Sequence, residues 1–319
     1  MTLPVKTRLL LSIILYLPTT AALAVDITIG KPPGKMYDVG GYHLHMYCAG
    51  DKPPVIIIDT GLGSSAMEWL DIQDELQSEQ RVCIYDRAGY GWSAHGPGPR
   101  TVDLLSEELF RLLNAAEVAP PYILVGHSFG GYVAQYFAET HPDSIAGMVL
   151  VESSHPQQSK MLKKAPLNKQ MQVVNPISTD AIEKNTSNGY ALDTPIAIGS
   201  YLNSRRKAIF SQMDELKHFT ASGQLIIDNL PLPDVPLIVL GRGIRVWDND
   251  NNEFTSEDEW QEVQESLAEF TSKGEYRVAR NSGHHIHLDE PDMVLEAIRD
   301  VMMQARLETD TKLAQPEIQ

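Results

Sequence analysis

What this sequence holds little of narrows what the chain can be. It has two cysteines, Cys48 and Cys83, among 319 residues, so one disulfide at most is available and no thiolate cluster for a metal. Basic residues are scarce: 26 Lys and Arg stand against 42 Asp and Glu, a formal net charge of −16. A folded body this acidic repels polyanions, which argues against nucleic acid and anionic membrane surfaces as partners. No internal repeat is visible along the chain, which removes repeat architectures. The N-terminal apolar run, Leu9 to Leu17, falls short of the roughly 20 residues that a comfortable membrane span needs.

That run sits instead in the arrangement of an export signal. Lys6 and Arg8 give a positive start, Leu9 to Leu17 the apolar centre, and Ala22-Leu23-Ala24 a small-residue cleavage site. Residues 1–24 are therefore expected to be a signal peptide, with the mature protein in the periplasm or outside the cell; the rival is an uncleaved N-terminal anchor. Loss of Lys6 and Arg8 takes the formal charge from −16 to −18. Export permits a Cys48–Cys83 bridge, against which stand two free buried thiols. The remaining chain, at 43% hydrophobic and 21% charged over the whole sequence, suits one large globular domain with room for an insertion.

What is there is concentrated in Tyr122-Ile123-Leu124-Val125-Gly126-His127-Ser128-Phe129-Gly130-Gly131. A short apolar strand runs into a tight turn and then a helix. The turn matches G-x-S-x-G, in which the central serine takes strained dihedrals and its hydroxyl stands clear of the sheet. By itself the pattern is common enough to be an ordinary glycine-rich loop; its place where a strand becomes a helix points to Ser128 as a nucleophile. Further strand-like runs at Pro54 to Asp59, Arg81 to Asp86, Ile145 to Glu152 and Val235 to Gly241 alternate with helical spacing such as Leu104, Leu105, Leu109, Leu112 and Leu113. That alternation predicts a doubly wound, mostly parallel α/β sheet.

At these residues the chain resembles the Ser-dependent α/β-hydrolases of the esterase and lipase kind. The resemblance implies an eight-stranded sheet in the order 1-2-4-3-5-6-7-8, with the core at 25–152 and 235–307. It also implies a helical lid inserted after strand 6, at 153–234, with a helix expected over Ser200 to Thr220. A terminal helix is predicted over Pro291 to Leu307, followed by a disordered tail at 308–319. The Asp86-Arg87-Ala88-Gly89-Tyr90-Gly91-Trp92-Ser93 turn is similar to the family's, so Asp86 and Arg87 are read as turn architecture. The strand order places Cys48 beside Cys83, which makes their bridge the favoured reading. The loop Thr60-Gly61-Leu62 corresponds to the family's oxyanion loop, and the Leu62 and Phe129 amides are its expected donors.

Serine needs a base, and the base needs an orienting carboxylate. Gly283-His284 resembles the family's base position, which makes His284 the base. For the acid, Glu152 at the end of the sixth strand is preferred to Asp248, which lies beyond the seventh. His285 and His287 are expected to be local packing or polar partners, since neighbouring side chains rarely converge on one ion. His43 and His45 read as a polar strand face. No metal and no cofactor are expected. The expected chemistry is cleavage of an ester or related acyl bond in a small molecule. The alternatives are other reactions of the same fold (aminopeptidase, C–C hydrolase, acyltransferase, haloperoxidase) or a binding protein on the same scaffold. A serine at this position disfavours epoxide hydrolase and haloalkane dehalogenase chemistry, where the family uses aspartate.

Overall fold

The computed structural model describes residues 31–158, 160, 194–229, 231–246 and 257–314. The expected signal peptide, the middle of the expected lid and Asp248 lie outside them. Five strands precede the serine turn: β1 (Lys35–Asp38), β2 (His43–Ala49), β3 (Val55–Asp59), β4 (Val82–Tyr85) and β5 (Tyr122–His127), the last leading into it. Three follow it: β6 (Ile145–Val151), β7 (Leu237–Arg242) and β8 (Gly274–Ala279). Together they form one sheet in the order β1-β2-β4-β3-β5-β6-β7-β8. Pairing is antiparallel for β1–β2 and β2–β4 and parallel from β4 through β3 to β8.

The central strands read as unbroken apolar runs because both faces of the sheet are covered. Successive side chains alternate between two cores. Ile57, Leu124, Met148 and Val239 face α2 (Val102–Ala115) and α3 (Phe129–Thr140). Ile56, Ile58, Val125, Val149 and Ile238 face α1 (Leu70–Leu76) and the C-terminal helix. Each fully buried aliphatic side chain contributes about 1.5–3 kcal/mol by leaving water, so the two cores hold the strand ends in register. β2 and β4 place Cys48 opposite Cys83, and the two are joined in a disulfide with a Cα–Cα distance of 4.0 Å.

Between β6 and β7 the described residues form three helices, α4 (Pro195–Asn203), α5 (Arg206–Lys217) and α6 (Phe219–Asn229), where one helix over Ser200 to Thr220 was expected. The first begins earlier because the Thr194 hydroxyl accepts from the Ala197 amide at 3.2 Å, with Pro195 at the first helical position. It ends where the Ser204 hydroxyl turns back onto the Tyr201 carbonyl at 2.7 Å. After α7 (Glu257–Ser266) and a single turn, α8 (Ile286–Asp289), the last helix α9 runs Pro291–Ala314. The expected tail from 308 is therefore partly helical: neither glycine nor proline interrupts the chain between Asp292 and Gln315, so nothing stops the helix at Leu307. No described helix is long and apolar enough to cross a membrane.

Candidate active site

Ser128 lies between β5 and α3 at φ 51° and ψ −121°. An L-residue rarely takes such dihedrals, at a cost of about 1–3 kcal/mol that the surroundings must hold. They do so through the backbone: the Ser128 amide donates to Val151 O at 3.1 Å, and its carbonyl accepts from the Ser154 and Gly131 amides, both at 2.9 Å. Glycine is required on either side. A Cβ on Gly126 would stand 2.6 Å from Gly131 Cα, and one on Gly130 would stand 2.3 Å from Asp59 O.

Glu152, one residue past β6, also has a positive φ of 43°. It is fully buried and surrounded by donors. Trp260 Nε1 donates to Oε1 and the Arg242 amide to Oε2, each at 2.8 Å, and the Arg242 guanidinium pairs with Oε1. Burial alone would raise its carboxyl pKa, but the Arg242 charge, the His284 ring and the Arg242 amide together hold it below the ordinary glutamate value. His284 Nδ1 lies 3.9 Å from Glu152 Oε1, which puts Nε2 on the ring edge away from the carboxylate. A small cavity is lined by Ser128, Glu152 and His284 together with Phe129, Phe219 and Trp260. The structure thus brings the three predicted residues to one cavity, from three strand ends. The rival acid Asp248 lies outside the described residues.

The loop that holds Leu62 is pinned by a group expected to do no more than build a turn. Arg87 donates to the carbonyls of Thr60 and Gly61 and to Asp59. A trans peptide points its N–H opposite its C=O, so the Arg87 hold on the Gly61 carbonyl, at 3.1 Å, also sets the direction of the Leu62 amide. The Phe129 amide is at the first position of α3, where a helix offers no partner. Arg87 is paired in turn with Glu215 of α5 at 3.1 Å, and Glu215 also takes Arg100 Nε at 3.2 Å and the Tyr90 hydroxyl at 2.9 Å. All four are buried. Glu215→Ala would leave two buried guanidinium groups short of their shared anion, so folding stability should drop by about 3–5 kcal/mol in urea titrations. A loss below about 1 kcal/mol, the range of a solvent-exposed pair, would mean that water replaces the carboxylate.

The histidines sort differently from the expected pattern. His45 is not on a polar strand face: it is buried and bonds Asp86 Oδ2 at 2.9 Å, while His43 alone is exposed. Asp86 further accepts from the Ala66 and Trp92 amides at 3.1 and 3.2 Å, the work of a turn organiser. His127 Nε2 donates to the His284 carbonyl at 3.0 Å, tying the serine turn to the loop that carries His284. His285 and His287 do converge, and on a third histidine: one ring nitrogen from each of His127, His285 and His287 lies within 4.8 Å of the others. Burial, with neighbouring histidines adding to it, pushes His127 well below the usual histidine range and His285 to about 3. Burial also lowers His287, against the opposing pull of Glu68.

Sequence reasoning missed Arg242, Glu257 and Trp260. Arg242 sits inside Gly241-Arg242-Gly243, a segment searched for an acid. The overlooked signal was a base closing a wholly apolar strand, which needs a buried anion near it. Here it has two, since Glu257 accepts from Arg242 Nε at 2.8 Å.

Comparison with known proteins agrees with this topology. A family model described as alpha/beta hydrolase fold matches residues 53–186. The Bacillus subtilis protein YqjL is 29% identical over 269 residues, spanning 84% of this chain and 91% of its own. An enol-lactonase from Burkholderia xenovorans superposes with a TM-score of 0.61 at 18% identity, over 84% of this chain and 100% of that one. A thermophilic esterase from Thermogutta terrifontis gives 0.57 at 20% identity, over 83% and 94%. Sheet order, strained serine turn and the matched family model agree on one architecture: the chain has the α/β-hydrolase fold.

Proposed function

We propose that this protein is a serine hydrolase that cleaves an ester or related acyl bond of a small molecule through an acyl-enzyme. The observation that carries the reading is Ser128, held at positive φ and sharing one cavity with His284, whose Nδ1 faces the buried carboxylate of Glu152. In this reading His284 Nε2 takes the Ser128 proton as Oγ attacks the carbonyl, then returns it to the leaving group. Glu152 holds the Nδ1–H tautomer and balances the imidazolium. The Leu62 and Phe129 amides hold the developing oxyanion, each worth about 3–4 kcal/mol in the transition state. Water, activated by the same imidazole, then releases the acid. None of these steps needs a cofactor.

The helices between β6 and β7 act as the lid in this proposal. Its support is that Ser154, Gln158 and Phe219, all from the insertion, line the cavity with Ser128. Export is likewise proposed, and the Cys48–Cys83 disulfide fits an oxidising compartment. A narrow, aromatic-walled cavity favours short acyl groups. With p-nitrophenyl esters of graded chain length, kcat/KM should be highest for the shortest acyl chains and decline steadily with length, and the corresponding anilides should be far poorer. Preference for long chains would remove the lid reading, and no turnover of any acyl substrate would remove the function.

A further inference from the structure

We propose that His127, His285 and His287 form a binding site for a divalent transition ion of the zinc class, beside the loop that carries His284. The donors come from two places in the chain. His127 ends β5 and precedes Ser128; His285 and His287 flank the start of α8. The tautomer of His127 is set by chemistry already in place. Its Nε2 donates to the His284 carbonyl at 3.0 Å, so Nδ1 carries a lone pair, and Nδ1 is buried with no hydrogen-bond partner. His285 and His287 leave both ring nitrogens in the same condition.

Five buried ring nitrogens without a hydrogen bond in one place depart from the rule that buried polar atoms are satisfied. A cation that accepts three lone pairs satisfies three of the five, leaving one nitrogen on each of His285 and His287. Zn–N bonds of about 2.0–2.1 Å put tetrahedral neighbours roughly 3.3 Å apart, so from 4.8 Å at most the rings have little distance to close. Their surroundings are built to aim them. Trp69 stacks on His287 with centroids 4.3 Å apart and planes 4° from parallel. Glu68 Oε2 lies 3.7 Å from His287 Nε2, while Oε1 accepts from the Ser65 amide at 3.1 Å. A carboxylate beside a histidine is the usual companion of a ligating imidazole. An all-imidazole set suits zinc, copper or nickel and is wrong for calcium or magnesium, which take oxygen.

The site would join residues 285–287 to the serine turn, clamping the segment that contains His284, and it uses none of the residues assigned to proton transfer. The test uses the full chain without a histidine tag, stripped with EDTA and titrated with Zn²⁺ against a chromophoric chelator. One ion per chain is expected, with a rise in melting temperature. Ser128→Ala and His284→Ala should bind as the unaltered protein does. His285→Ala and His287→Ala should lose more than about 100-fold in affinity, beyond what loss of an outer partner costs. His285→Asn, at the half-buried position, serves as the variant that keeps the fold, and circular dichroism confirms folding. No stoichiometric binding to folded protein would overturn the proposal and leave the nitrogens to water. Binding that survives in both His285→Ala and His287→Ala, or disappears in His284→Ala, would overturn it as well. Because Ser128→Ala retains the site, failure of the hydrolase reading and failure of the metal site are separate results.

Discussion

Ser128→Ala is expected to lower kcat on the best ester by on the order of 10⁵–10⁶-fold, about 7–8 kcal/mol of transition-state stabilisation. It should also abolish covalent labelling by a fluorophosphonate probe. The size follows from what the side chain alone supplies. The strained backbone at residue 128 is held by bonds from its own N–H and C=O to Val151, Ser154 and Gly131, none of which uses the hydroxyl. Alanine can occupy the same dihedrals with the same partners, so the fold and cavity should survive while the nucleophile is lost. Unchanged near-ultraviolet circular dichroism with activity gone is the expected combination. Turnover that persists within tenfold of the original protein, with labelling intact at another residue, would transfer the chemistry away from Ser128 and leave the strained turn without a catalytic purpose.

Much of this site was legible because its parts stand at strand ends. β5 and β6 are largely apolar runs, and Ser128 and Glu152 are the residues just past their ends. The doubly wound sheet was legible for the same reason: a strand buried on both faces has no room for polar residues, so its limits show in composition. What stayed hidden depends on pairs far apart in the chain. Arg87 and Glu215 are separated by 128 residues, and nothing local to either says that one holds the loop carrying Leu62 and the other pairs with it from an inserted helix. The histidine cluster stayed hidden because adjacency of His285 and His287 argued against a shared ion, while the third ring comes from the serine turn. Helix limits failed for a simpler reason. A serine or histidine side chain that bonds its own backbone ends a helix without glycine or proline, as at Ser204 and His218.

Glu152→Gln is expected to lower kcat by on the order of 10³–10⁴-fold, the cost of losing the carboxylate that orders a catalytic imidazole. The substitution keeps side-chain volume, so the pocket should keep its shape, but its single oxygen can accept from Trp260 Nε1 or from the Arg242 amide, not from both. It does not strand a buried cation either. Arg242 keeps Glu257, bonded at 2.8 Å from Nε and 3.2 Å from Nη2, and the loss in stability should stay within about 1–3 kcal/mol. What disappears is the negative charge 3.9 Å from His284 Nδ1, and with it the preference for the tautomer that leaves Nε2 free to receive the Ser128 proton. A carboxylate that served only Arg242 would give the opposite signature, with stability lost and kcat nearly kept. Asp248→Asn decides between the two acids directly: it should leave kcat near its original value. Should Asp248→Asn collapse turnover while Glu152→Gln leaves it intact, the orienting acid is Asp248, and the strained, fully buried Glu152 exists to neutralise the arginine that ends β7.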